Sequence, residues 1–425
     1  MISNKIQDIL DKELSRQQNS LELIASENYV SSDVIAAYAN VFTNKYSEWY
    51  PGKRYYGGNQ YVDELELYVQ SLALDIFAID HTMWWVNVQP LSWSTANLAV
   101  YTWLLQPGDT VLAMDLATWW HLTHGMNLNA SGKYFNFIHY GVNKDGYIDY
   151  DQVLQLATKY KPKMIVAWFS SYPRKLERDK FVQVKKILKQ EHNFDILLMA
   201  DMSHIAWLIA WGVHDSPFDA EFDIITTTTH KTLRWPRWAL IYYKLDYQPK
   251  IDRWLFPWVQ WWPFDHVLVA KAVAFEEILG LWKNKDNWKK YTDKIISNNK
   301  TLAKWLIDRW WRLATWGSDN HLIVLDVTHR VIDWDKKGTW LSGKQAEHIL
   351  EEIWLSVNKQ LIPYDTRPPQ DPSWIRIGTP AVTSRWLLGI DMDIIADVID
   401  RVLSWDVSWC REVILWLCKK YPLRY

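Results

Sequence analysis

Short apolar runs alternate with helical stretches between about residue 61 and residue 245. Five of these runs have the length and composition of buried strands: TVLAMDL (110–116), KMIVAWFS (163–170), DILLMADMSH (195–204), FDIITTTTH (222–230) and ALIYYK (239–244). This alternation is typical of βαβ units and predicts an α/β layer with a mostly parallel sheet. Ligands of such sheets bind at the carboxyl ends of the strands, so the residues after each run are the first candidates for a site.

The segments on either side of this region have different patterns. Residues 1–60 predict a helical arm followed by a Tyr/Gly-rich loop, and a long helical stretch runs through 267–312. Beyond it, HLIVLDV (321–327) and WIRIGT (374–379) predict strands, with helices near 343–353 and 391–421. We therefore expect three parts: the arm and loop (1–60), a large α/β domain (61–280) and a smaller α+β domain (281–425).

Composition excludes several classes of protein. The chain has 425 residues, of which 49% are hydrophobic and 23% charged, as in an ordinary globular protein. Its net charge of -2 gives no basic field for nucleic acid or an anionic membrane. The first 18 residues intersperse charges among apolar positions, which favours neither a signal peptide nor a membrane span. The only two cysteines, Cys410 and Cys418, argue against a disulfide framework or a Cys-rich metal site, and we expect a cytoplasmic protein.

Tryptophan and glycine occur in abnormal proportions. The chain has 30 Trp but 15 Gly, whereas a chain of this length is expected to have roughly 30 Gly. Many of the tryptophans stand beside proline or another tryptophan in turn-like contexts, such as Trp235-Pro236 and Trp261-Trp262-Pro263. Turns of this kind favour a residue without Cβ. The leading hypothesis is a gene whose UGA codons encode glycine but are translated here as tryptophan; reassigning about 25 of them restores ordinary usage.

An acid and a lysine lie at the ends of two predicted strands. Asp201 follows the apolar run DILLMA, and Lys231 follows FDIITTTTH. A pyridoxal phosphate enzyme needs such a pair, because the lysine binds the cofactor covalently while the carboxylate keeps its pyridine nitrogen protonated, so that the ring accepts electrons. Each residue alone is more often structural. The segments around the pair strengthen the interpretation of Asp201 and Lys231 as cofactor-binding residues.

One of those segments is the stretch Ser92-Trp93-Ser94, which precedes a helical run. With glycine at 93 it predicts a small-residue turn that opens onto a helix N-terminus, where backbone N–H groups and hydroxyls bind a phosphate. His121 and His124 have no third metal ligand at a suitable spacing, so we expect no metal site. A ring stacked on the cofactor is the better use for one of them.

The chain from about residue 20 onward resembles the serine hydroxymethyltransferase family. The segments that carry the resemblance occur in the family's order: LELIASENY (21–29), NKYSEWYPGKRYYGG (44–58), HLTHG (121–125), ADMSHIA (200–206), TTTTHKTLRWPRW (226–238), SDNHLIVLD (318–326) and IRIGTPAVTSR (375–385). Tryptophan stands where that family typically has glycine at Trp49, Trp85, Trp93, Trp119, Trp120, Trp207, Trp235, Trp238, Trp261, Trp262, Trp316 and Trp374.

The resemblance implies a fold and a set of site residues. The fold is that of the fold type I, aspartate-aminotransferase-like pyridoxal phosphate enzymes. The residues it assigns to the cofactor are Lys231, Asp201, His204, His121 (stacked on the ring), Ser170, Ser92, Trp93 (as glycine), Ser94 and His230. Those it assigns to the substrate are Arg376, which binds the carboxylate, with Ser26, Tyr46, Glu48 and Tyr56. The folate pocket would be lined by Leu116, Trp120 (as glycine) and Leu122.

The implied activity is the interconversion of serine and glycine with tetrahydrofolate as one-carbon carrier. Lys231, Glu48, His121, Asp201, His230 and Tyr46 would be the catalytic residues, and the Tyr-rich loop would be supplied across the interface of a homodimer or homotetramer. Two departures from the family, Gln360 and Pro368-Pro369-Gln370, lie in the region associated with folate. They keep open a folate-independent β-hydroxy amino acid aldolase. A non-catalytic paralogue stays open if the tryptophans are real.

Overall fold

The computed structural model describes residues 2–115, 122–168, 170–281, 286–328 and 341–423. The chain divides into two compact units, a larger one of residues 30–289 and a smaller one that combines residues 1–29 with 290–425. The three-part division expected from the sequence stays a prediction about domains.

The helices alternate with strands through the larger unit and cluster near the termini in the smaller one. In chain order they are α1 (Asn4–Asn19), α2 (Ser32–Ala37), α3 (Gln60–Ile76), α4 (Trp93–Leu104), α5 (Ala130–Tyr134), α6 (Tyr150–Tyr160), α7 (Arg178–His192), α8 (Ala206–Ala210), α9 (Gln248–Arg253), α10 (Asp265–Leu279), α11 (Asp286–Asp308), α12 (Gly343–Glu352), α13 (Pro380–Ser384), α14 (Gly389–Val402) and α15 (Cys410–Lys420). Among the described residues, no helix is long and apolar enough to cross a membrane.

Thirteen strands are described. They are β1 (Leu21–Glu22), β2 (Trp84–Asn87), β3 (Thr110–Met114), β4 (Asn136–Tyr140), β5 (Met164–Trp168), β6 (Leu197–Asp201), β7 (Ile224–Thr228), β8 (Ala239–Lys244), β9 (Arg312–Leu313), β10 (Leu322–Asp326), β11 (Leu355–Ser356), β12 (Asn358–Gln360) and β13 (Trp374–Gly378). The five apolar runs of the sequence correspond to β3, β5, β6, β7 and β8.

The larger unit is built on a seven-stranded sheet with the order β2-β8-β7-β6-β5-β3-β4. Strand β8 is antiparallel to both of its neighbours, and the pairs from β7 to β4 are parallel. The predicted α/β layer with a mostly parallel sheet is therefore confirmed. The strands contribute apolar side chains, such as Val111 and Ile224, to the core beside α4. The carboxyl ends of β6 and β7 lie side by side.

The smaller unit contains a four-stranded antiparallel sheet, β12-β13-β10-β9, and a parallel pair of β1 with β11. The N-terminal segment packs closely against β13: the amide of Gly378 donates to the carbonyl of Leu23 over 2.7 Å, and a Cβ at Gly378 would lie 2.5 Å from the Cα of Ala25. Only glycine permits this approach. Arg385 joins both ends of the unit, donating to the carbonyls of Ser20 (2.8 Å) and Tyr421 (3.1 Å).

Several described residues other than glycine have a positive φ, and half of them are tryptophan. Twelve such residues occur, and the six tryptophans are Trp49, Trp310, Trp316, Trp354, Trp386 and Trp405, with φ between 59° and 73°. A bulky aromatic residue is a genuine outlier in this region, where Cβ crowds the backbone. These positions have the backbone of glycine.

Candidate active site

Asp201, the last residue of β6, is the centre of a buried polar cluster. Its side chain is 0% exposed. One carboxylate oxygen, Oδ1, accepts from the Ser203 hydroxyl at 2.6 Å and from the Ser203 amide at 3.1 Å. The other, Oδ2, accepts from Asn97 Nδ2 at 3.1 Å and lies 3.2 Å from His124 Nε2. These hydrogen bonds hold the Asp201 carboxylate in a fixed orientation at the carboxyl end of β6.

The charge state of Asp201 is set by a balance between burial and its partners. Burial by itself raises the pKa of the carboxyl, but the hydrogen bond and charge of His124, the Ser203 hydroxyl and the charge of Lys231 together hold the pKa below its ordinary value. Asp201 is therefore an ionised carboxylate that is buried among polar partners. Such a group favours a protonated ring nitrogen as its partner.

Helix α4 contributes three side chains that contact this cluster. Trp93, Asn97 and Tyr101 lie four residues apart on one face of α4, so their side chains point toward the same place. Asn97 also accepts from Thr226 Oγ1 at 2.8 Å, and the Tyr101 hydroxyl is hydrogen-bonded to His124 Nδ1. Sequence reasoning assigned no role to Asn97, Tyr101 or Ser203. The i, i+4, i+8 spacing in α4 was the signal that could have indicated the first two.

Lys231 lies in a tight turn directly after β7, and its side chain is 4% exposed. The turn is closed by backbone hydrogen bonds from Trp235 N to Thr229 O (2.9 Å) and from Arg234 N to Lys231 O (3.2 Å). Next to it, burial, followed by the charge of Lys231, lowers the pKa of His230 to about 3, so this imidazole is neutral. Lys231 follows β7, which pairs with β6, the strand that ends in Asp201.

The indole of Trp93 lies between the Asp201 carboxylate and the Lys231 amine. Its Nε1 donates a hydrogen bond to Asp201 Oδ2, and the Lys231 Nζ lies 3.5 Å from the centroid of its ring. A single aromatic side chain thus contacts both of the groups that a cofactor ring needs. Trp93 is the first residue of α4, whose cap is the Ser92 side chain; Ser92 and Ser94 are exposed beside it.

Comparison with known families decides the assignment of the whole chain. Residues 1–399 match the family model of serine hydroxymethyltransferase. The chain belongs to the serine hydroxymethyltransferase family. This is a family of pyridoxal phosphate-dependent one-carbon transferases with fold type I, so the fold and the enzyme class expected from the sequence are confirmed.

The polar groups of the site suit the cofactor, but the space between them does not. Asp201, Lys231, His204 and Ser170 are all buried, and His204 Nε2 lies 3.3 Å from the Ser170 hydroxyl. A pyridine ring that reached both Asp201 and Lys231 would coincide with the indole of Trp93. With tryptophan at residue 93 in this position, the site does not accept pyridoxal phosphate.

Arg376, the predicted carboxylate-binding residue, lies in β13 of the smaller unit. Its Nε donates to Asn358 Oδ1 at 3.0 Å, and burial lowers the pKa of the guanidinium to about 10. A buried guanidinium of this kind gains most from a bidentate carboxylate. Ser26 is half-buried in the same unit. It lies three residues after Leu23, whose carbonyl accepts a hydrogen bond from the amide of Gly378 at the end of β13.

The Tyr-rich loop forms an aromatic cluster in the larger unit. Glu48 Oε1 accepts from the Trp261 indole at 2.7 Å, and the Tyr46 hydroxyl accepts from the same indole at 3.1 Å. The Tyr46 and Tyr56 rings are in edge contact at 5.2 Å, and both side chains are exposed. The structure places Tyr46, Glu48 and Tyr56 in one cluster, and their role toward the substrate stays a prediction.

Of the remaining predicted site residues, the structure describes only Leu122. Leu116, Trp120 and His121 lie outside the described residues, and Leu122 is exposed. The assignments of individual site residues stay predictions. His124, by contrast, has a described role as a partner of Asp201 rather than as a ring stacked on a cofactor.

Proposed function

We propose that this protein transfers the hydroxymethyl carbon of L-serine to tetrahydrofolate, giving glycine, 5,10-methylenetetrahydrofolate and water, and catalyses the reverse reaction. The observation that carries the proposal is the buried, ionised Asp201 beside Lys231 at adjacent strand ends, in a chain that matches the serine hydroxymethyltransferase family over residues 1–399. Because the fold type hosts many reactions, the site residues carry the argument.

The chain's own residues would divide the work as follows. Arg376 and Ser26 bind the serine carboxylate, and Glu48 with Tyr46 holds or moves the proton of the serine hydroxyl as the Cα–Cβ bond breaks. Asp201 keeps its negative charge through its partners, and Lys231 supplies the amine. His230 is neutral, so it places no second positive charge beside Lys231.

The assembly and the pockets belong to the same proposal. Exposed Tyr46 and Tyr56 favour a homodimer or homotetramer in which the Tyr-rich loop meets a second copy. Leu116, Trp120 and Leu122 would line the folate pocket. Ser92 and Ser94 at the start of α4 suit a phosphate, since the first N–H groups of a helix bind anions. We also propose a cytoplasmic location, as the sequence led us to expect.

The test measures glycine formed from serine with and without tetrahydrofolate. The assay uses the chain with glycine at residues 49, 93, 310, 316, 354, 386 and 405. The control is the same chain with Lys231→Ala. Folate-dependent glycine formation that the control loses is the expected result. Cleavage that proceeds equally without folate assigns the aldolase activity instead, and no cleavage by a soluble, folded protein contradicts the proposal.

A further inference from the structure

Three helix ends of the smaller unit share one hydrogen-bonding motif. At Trp310, Trp386 and Trp405 the tryptophan amide bonds to the carbonyl three residues back (2.9–3.1 Å), and the next amide reaches the carbonyl five residues back (2.9–3.2 Å). This is the Schellman motif, whose turning residue is left-handed and usually glycine.

The same chain makes this motif with glycine at two other helices. After α8, Gly212 has φ 68° and Val213 N bonds to Leu208 O at 2.8 Å; after α10, Gly280 has φ 70° and Leu281 N bonds to Glu276 O at 3.2 Å. The φ values of Trp310, Trp386 and Trp405 are 65°, 71° and 66°. After α3, Ala78 (φ 51°) makes the same motif, so the residues that take this turning position elsewhere in the described chain include two glycines and an alanine, none with a side chain beyond Cβ.

Packing does not explain why tryptophan would stand there. The side chains of Trp310, Trp386 and Trp405 are 91%, 55% and 53% exposed. A strained left-handed conformation of a large residue persists where surrounding contacts impose it. At Trp310 the indole lies almost entirely in solvent, so its side chain contributes no contact that could hold the strain.

The indole of Trp93 is the second, independent observation. It lies between the Asp201 carboxylate and the Lys231 amine and contacts both. This step rests on the proposed function, because it takes the space between these two groups to be the cofactor's; the argument from the helix ends does not.

We infer that the functional protein has glycine at residue 93 and at the six left-handed tryptophan positions: Trp49, Trp93, Trp310, Trp316, Trp354, Trp386 and Trp405. Four of them, Trp310, Trp354, Trp386 and Trp405, are additional to the positions that the family resemblance singles out. Glycine at 93 opens the space between Asp201 and Lys231 for the cofactor ring.

A neighbouring residue provides the internal control. Trp311 follows Trp310 directly, is 3% exposed, has no positive φ and donates from its indole N–H to Asp400 Oδ1 at 2.9 Å. It packs in the core of the smaller unit. This indole has the packing and the hydrogen bond of a native tryptophan, and its hydrogen bond goes to Asp400 rather than, as for Trp93, to the Asp201 carboxylate of the candidate site, so we expect it to stay tryptophan.

The decisive experiment is peptide mass spectrometry of the protein purified from its natural source. Cleavage after acidic residues, at Asp308 and Asp319, releases residues 309–319, which contain Trp310, Trp311 and Trp316 in one peptide. We expect glycine, tryptophan and glycine at these three positions. Tryptophan at 310 and 316 overturns the inference, and so does glycine at all three, because the structural criterion then fails to distinguish Trp311.

A second experiment isolates residue 93. Two recombinant forms with glycine at the six left-handed positions, one with Trp93 and one with Trp93→Gly, are mixed with pyridoxal phosphate, and the visible absorbance of lysine-bound cofactor is measured. After borohydride reduction, the labelled peptide is mapped. We expect stoichiometric labelling of Lys231 only in the Trp93→Gly form. Equal labelling of both forms overturns the role of residue 93.

The two experiments separate the inference from the proposed function. Glycine in the native peptides together with a Trp93→Gly protein that binds no cofactor supports the helix-end positions and contradicts both the role of residue 93 and the proposed function. Labelled Lys231 without folate-dependent serine cleavage supports the inference and contradicts the proposed reaction alone.

Discussion

Residues 310 and 311 are adjacent tryptophans for which the structure predicts opposite effects on stability. In a protein with glycine at 93 and at the other left-handed positions, restoring Trp at 310 is expected to destabilise the fold, because a Cβ is forced into the left-handed region. Replacing Trp311 by glycine is also expected to destabilise it, but for the opposite reason, since a buried indole is lost.

The magnitudes follow from exposure and backbone. The left-handed conformation costs a residue with Cβ roughly 1–2 kcal/mol, and glycine loses about 0.5–1 kcal/mol more conformational entropy on folding, so the net cost of Trp310 is about 1 kcal/mol. Its 91% exposure leaves little burial to offset this. Loss of the Trp311 indole costs about 3–5 kcal/mol. Six left-handed tryptophans together cost roughly 6 kcal/mol, comparable with a typical total stability of 5–15 kcal/mol.

The assay is chemical or thermal unfolding of three proteins that have Gly, Ala or Trp at residue 310. If Cβ is the cause, the alanine form resembles the tryptophan form, and each loses about 2–4 °C in melting temperature per kcal/mol in a unit of this size. An alanine form as stable as the glycine form refutes the backbone argument and attributes the cost to the indole.

Three further predictions concern the site. Asp201→Asn and Lys231→Ala, made with glycine at 93, should abolish serine cleavage while the circular dichroism spectrum is retained; near-normal turnover in either variant would contradict their assignment. Arg376→Lys should weaken serine binding more than tenfold, about 1.4 kcal/mol, because the planar fork is lost, and an unchanged Kd would leave Arg376 a structural residue. The pKa of His230 is about 3 in the folded protein and 6.5 in an unperturbed histidine, so the unfolded chain takes up a proton that the folded one does not, and stability falls as pH drops from about 6.5 toward 3. His230→Asn should reduce the loss of urea resistance between pH 7 and pH 5; an identical loss in both proteins would show that another group is responsible.

The sequence predicted the sheet well because each strand is a local apolar run. TVLAMDL and FDIITTTTH became β3 and β7, within two residues at each end. It also placed Asp201 and Lys231 at strand ends, since the end of a run is visible in one dimension. The partners of Asp201 were not visible, because Asn97 and His124 reach it across more than 70 residues and only the folded sheet brings them together.

The excess of tryptophan was a composition signal, and composition does not say which positions carry it. The family resemblance indicated twelve positions at which that family typically has glycine. The helix ends at Trp310, Trp354, Trp386 and Trp405 needed the backbone, because a helix C-terminus and its left-handed residue are defined by dihedral angles rather than by neighbours in sequence.

The parallel pairing of β1 with β11 has a consequence for the order in which the two units mature during synthesis. Residues 30–289 are one continuous stretch of chain, so the larger unit can fold as soon as it leaves the ribosome. Leu21, in contrast, pairs with Leu355, so the first strand waits for residues made more than 300 positions later. At 5–20 residues per second this is roughly 20–60 seconds. During that interval the apolar side chains of Leu21 and Leu23 lack their native partners.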